Sequence, residues 1–271
     1  LHVDPNLNRP ELLERIEPAF MFGLRSRDTE LRNAFFKLLH KQVGRSLPQR
    51  LSHIISGQDW DPLSHTLWLR QALQLLLATA ETQQPLTMPA TALQLPALRI
   101  TSGDQHAGGA ELRALLASHG NFLSECREAG SCGQLMGPLS EMVHDHSAPT
   151  LAINMWVALF PQVWSQVAPS DQEGLVKPLI TVLSKEHNLR QQTKQPNVVQ
   201  GWIQALSACR PLPKLPAGLL KFLAKSFNAW PTVMPLLQQH ALYYPTEPQW
   251  YDALSELHSQ LGDRDAFCAL W

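Results

Sequence analysis

Charge is scarce in this sequence. Asp, Glu, Lys and Arg make up 17% of its 271 residues, where globular domains usually carry about 25%. The few charges balance, 22 Lys and Arg against 23 Asp and Glu, for a formal net charge of −1. No global field favours nucleic acid or an anionic membrane, so neither is expected as a direct partner. Cysteine is rare as well. Cys126, Cys132, Cys209 and Cys268 are too few and too dispersed for a disulfide framework, and reduced thiols in an intracellular protein are expected. No CxxC pair exists, which argues against zinc and favours cysteine as a small buried hydrophobe.

Long apolar runs are also missing. A membrane-spanning helix needs roughly 18–20 such residues. Leu67–Ala80 is interrupted by Arg70 and Gln71, and Leu151–Val167 by Asn154 and Pro161. No signal-peptide pattern is present. The chain opens on Leu1 and stops at Trp271 inside an apolar stretch, as expected of part of something larger. Strand-like alternation is almost absent.

Helix signals fill the space left. Asp28 reads as an N-cap before Leu31, Phe35, Leu38 and Leu39 on one face. Leu67, Trp68, Ala72, Leu73, Leu75, Leu76 and Leu77 cover more than one face, as in a helix packed on several sides. Ser170-x-x-Glu173 and Thr246-x-x-Gln249 read as capping boxes. Leu219, Leu223, Phe227 and Trp230 form one stripe, and Trp250, Leu254, Leu257 and Leu261 another. Prolines 48, 62, 149, 196, 216, 231 and 248 stand where helices could begin instead of breaking their middles. The pattern predicts about twelve helices of roughly 10–18 residues. The fold class expected is all-α, an α-solenoid of irregular antiparallel helix pairs without a strict repeat period. Residues 1–81 and 110–271 read as helical repeats. Residues 82–109, rich in Pro, Gly and small polar residues, read as a flexible or irregular insertion.

Candidate sites are few. Glu141-x-x-His144 places two ligand types on one helix face, half of a di-iron motif, and His146 follows. Glu256 is followed by His258, not by a histidine at 259, so the second half fails. His144-Asp145-His146 therefore reads as a turn before the helix start at Ser147-Ala148-Pro149. A helical metalloenzyme using Glu141, His144 and His146 is the rival reading. No GxSxG elbow is present, and Gly108-Gly109 lacks a following GK[ST], so no catalytic residue, cofactor site or small-molecule substrate is assigned. Lys214, Lys221 and Lys225, at i, i+7 and i+11, form a basic stripe that could receive a partner. Trp156, Trp164, Trp202 and Trp250 fit core stripes better than a base-stacking surface, because no basic residues interleave with them.

Seven blocks occur in a familiar order: EPAFMFGLRSRD (17–28), RNAFFKLLHK (32–41), RLSHIISGQDW (50–60), WLRQALQLLLA (68–78), MWVALFPQVWSQV (155–167), LLKFLAKSFNAW (219–230) and LSELHSQLGDRDAFCALW (254–271). Together they resemble the transformation/transcription domain-associated protein family, the pseudokinase branch of the PI3K-related kinases. The resemblance implies a non-enzymatic nuclear scaffold built from HEAT-type repeats leading into a TPR-like FAT region, with this segment at that junction. Implied partners are subunits of SAGA-type and MYST-type histone acetyltransferase complexes, transcription activators and neighbouring repeats of the same chain. A segment of a catalytically active PI3K-related kinase is the alternative.

Overall fold

The computed structural model describes residues 20–57, 66–80, 131–144, 149–194 and 197–269, with isolated positions between 113 and 124. Eleven α-helices and no strand occur among the described residues. They fall into two compact units, residues 80–145 and the remainder. The first unit contributes α4 (Cys132–His144), with Val143 buried. The expected insertion at 82–109 lies outside the described residues, as do Pro62 and Pro196.

The larger unit opens with α1 (Thr29–Gln42), whose Asp28 carboxylate accepts from the Glu30 and Leu31 amides, as the sequence predicts. The predicted apolar face is only partly buried. Leu39 and Arg32 point inward, whereas Leu31 and Leu38 are 46% and 39% exposed. A short α2 (Leu47–Ser52) follows, capped by Ser46 and Gln49, and runs on into a π-helical turn over His53–Gly57. Then α3 (Leu67–Leu77) is buried from Trp68 through Leu76, polar residues included. The fully buried Arg50 guanidinium ties these pieces together. It donates to the Gly44 carbonyl at 3.1 Å and to the Leu75 carbonyl, and meets His40 Nδ1 at 3.0 Å.

Helices α5 (Pro149–Ser165) and α6 (Pro169–Ser184) lead to a 3-10 turn at Glu186–Gln191 and to α7 (Val198–Ser207). Beyond them lie α8 (Ala217–Ser226), α9 (Trp230–Tyr243), α10 (Pro248–Leu261) and α11 (Arg264–Ala269). Packing follows neighbours: α3 on α5, α5 on α7, α7 on α9, and α9 on both α8 and α10. Such serial burial of one continuous core is what makes an α-solenoid. Its densest part is aromatic. Trp156 and Trp202 meet edge-on at 4.7 Å, Phe160 lies 5.4 Å from Trp202, and Trp164 donates to the Pro211 carbonyl at 2.9 Å. Trp156, Trp164, Trp202 and Trp250 are all at most 2% exposed, as core stripes require. Gly201 permits the close approach of α7 to α5, since a Cβ there would stand 2.9 Å from Ile153 Cγ2.

Several expectations are corrected. Neither capping box forms: α6 starts at Pro169, earlier than a Ser170 cap would set it, and α10 at Pro248, later than a Thr246 cap would, because proline at the first position needs no acceptor and its fixed φ suits that place. Ser170 thus lies inside α6, and Thr246 lies outside α10. Prolines 48, 149, 216, 231 and 248 do stand at helix starts, but Pro161, Pro178 and Pro235 lie within α5, α6 and α9. The Leu219–Trp230 stripe is divided between two helices by Asn228, whose φ of 51° breaks the helical path. Leu261 is 51% exposed, off the buried stripe of Trp250, Leu254 and Leu257. Cys209 is buried, but Cys268 is exposed.

Candidate partner-binding face

Lys214, Lys221 and Lys225 do not form a single helical stripe. Pro211, Pro213 and Pro216 keep the chain non-helical up to the start of α8, so Lys214 sits in the preceding segment. Lys221 and Lys225, four residues apart, share one face of α8. Both reach across to α10, where the two Glu256 oxygens accept one lysine each, Lys221 at 2.6 Å. These hydrogen bonds, Lys221 first and Lys225 second, hold the Glu256 carboxyl at a pKa of about 2.

Lys214 is engaged in a similar way. Its Nζ lies 2.5 Å from Glu247 Oε1 and 4.0 Å from the centre of the Tyr244 ring. Glu247 in turn accepts from Trp250 Nε1 at 3.0 Å and from Gln249 at 2.8 Å, and the Lys214 hydrogen bond leads in lowering its pKa. Beneath this cluster His240 stacks on Trp250 at 4.7 Å and 20°. Burial, then the Lys214 charge, pushes the imidazole down to about 4, with Glu247 opposing. The arrangement is a clamp between α8, α9 and α10. A partner binding these three lysines would compete with Glu247 and Glu256. Sequence spacing gave the lysines but not their carboxylates, which lie 31 to 35 residues further along the chain.

The turn expected at His144-Asp145-His146, and with it the rival metal reading, falls only partly within the described residues. His144 closes α4, the Glu141 side chain is not described, and Asp145 and His146 lie outside the described residues. Among the described residues no group of three His, Cys, Asp or Glu is placed to hold a metal ion. Burial raises the Cys209 thiol to about 12, which leaves it protonated and inert as a nucleophile. No helix among the described residues is long and apolar enough to cross a membrane.

Comparison with known proteins adds what geometry alone does not. A family model describing the Tra1 HEAT repeat ring region matches residues 1–209. The chain is 29% identical over 279 residues to the SAGA complex/NuA4 acetyltransferase complex subunit TRA1 of Saccharomyces cerevisiae, covering 98% of the chain and 7% of that protein. It is 24% identical over 342 residues to the Homo sapiens transformation/transcription domain-associated protein, covering 99% of the chain and 9% of the relative. To the SAGA complex/NuA4 subunit Tra1 of Schizosaccharomyces pombe it is 24% identical over 292 residues, covering the whole chain and 8% of that protein. The chain thus spans less than a tenth of the length of each of these relatives.

Proposed function

The chain belongs to the Tra1/transformation-transcription domain-associated protein family, in its HEAT-repeat ring region, and from this premise we propose that it is a non-catalytic scaffold segment of a transcription coactivator. In this reading the parent protein is a nuclear subunit of SAGA-type and MYST-type histone acetyltransferase complexes. It supports their assembly and their recruitment by transcription activators. The observation that carries the reading is similarity along essentially the whole chain to proteins named as subunits of acetyltransferase complexes.

The mechanism is geometric. Helices α3, α5, α7, α9 and α10 pack one on the next, and the faces left outside this series can be given to other polypeptides. Helices α5 and α9 carry no Asp, Glu, Lys or Arg in 17 and 14 residues, which suits surfaces covered by further protein. We assign residues 1–81 and 110–271 to the repeats, 82–109 to an insertion, and the C-terminal part to the entry of the FAT region.

The test is to purify the parent protein from nuclei and assay acetylation of nucleosomal histones. Acetyltransferase activity and subunits in the same particle are the expected result. Phosphorylation of protein substrates without any acetyltransferase would replace the scaffold by an active PI3K-related kinase.

A further inference from the structure

We draw no further inference here: the strongest candidate, the exposed apolar patch of Leu242 and Tyr243 at the C-terminal end of α9, is a surface for which nothing in the structure shows what covers it.

Discussion

His240 carries more consequence than its neutral surroundings suggest. It is 1% exposed, lies flat against Trp250, and neither ring nitrogen has a hydrogen-bond partner. Protonation would place a cation among apolar rings near Lys214, so burial first and that charge second lower its pKa to about 4. Unfolded, the same imidazole takes its proton near 6.5. Between those values the unfolded chain binds more protons than the folded one, so stability falls as pH drops from about 6.5 to 4. At about 1.4 kcal/mol per pKa unit, the loss approaches ~3 kcal/mol. His40 and His53 are shifted in the same direction by burial, so the slope alone does not isolate His240. Urea unfolding of wild type and His240→Phe at pH 7, 5.5 and 4.5 does so. The variant should lose most of the difference between pH 7 and 4.5, and parallel slopes would assign the titration elsewhere.

At the scale of the element, Asn197 does two jobs at the start of α7. Its Oδ1 accepts from the Val199 amide at 2.9 Å and from Gln200 at 3.2 Å, while its Nδ2 donates to the Gln191 carbonyl at 2.9 Å. Gln191 reciprocates through Oε1, which accepts from the Val198 amide. Removing a cap costs about 1 kcal/mol, and leaving a buried carbonyl without its donor adds roughly 1–3 kcal/mol. Asn197→Ala should therefore destabilise by about 2–3 kcal/mol in urea unfolding, and a loss below ~0.5 kcal/mol would contradict the double role. Gly201, four residues on, gives a second check. Gly201→Leu would drive a branched side chain into Ile153 and should cost roughly 1–3 kcal/mol by overpacking. The contrast with Asp28 explains what the sequence shows of such elements. An Asp before a periodic apolar run is a local signal, and the Asp28 cap forms as read. Asn197 before Val198 and Val199 offers the same kind of local signal, but its bond to Gln191, six residues upstream, is one that no local pattern announces. Proline also overrides the serine and threonine signals at α6 and α10, because its fixed φ sets the first helical residue. At the candidate face the lysines were visible for the same reason, being local, and Glu247 and Glu256 were not, being brought there by the packing of α8 on α10.

For the molecule as a whole, the order of contacts decides how damage spreads. In a globular core, one large cavity weakens every element, because all share the same centre. Here α10 packs on α8, α9 and α11, while α5 packs on α3 and α7. Among the described residues the main packing between the two runs through intermediate helices, and stability in such a stack is close to a sum of local and nearest-neighbour terms. Trp250 is fully buried in α10 and stacked on His240. Trp250→Ala should cost about 3–5 kcal/mol by deleting the indole and leaving a cavity. It also frees Glu247 from one of its donors. Backbone hydrogen exchange can show where that loss falls, since local openings are read element by element. Faster exchange is expected in α8, α9 and α10, with α3 and α5 keeping wild-type protection. A uniform rise across all five helices would mean that they unfold as one cooperative body. The serial stack would then be a description of contacts without energetic force, and occupation of one helix face would be felt at distant ones. Confined exchange would mean the reverse: each face of the segment can be occupied or released with little effect on its neighbours, the behaviour a scaffold with several partners requires.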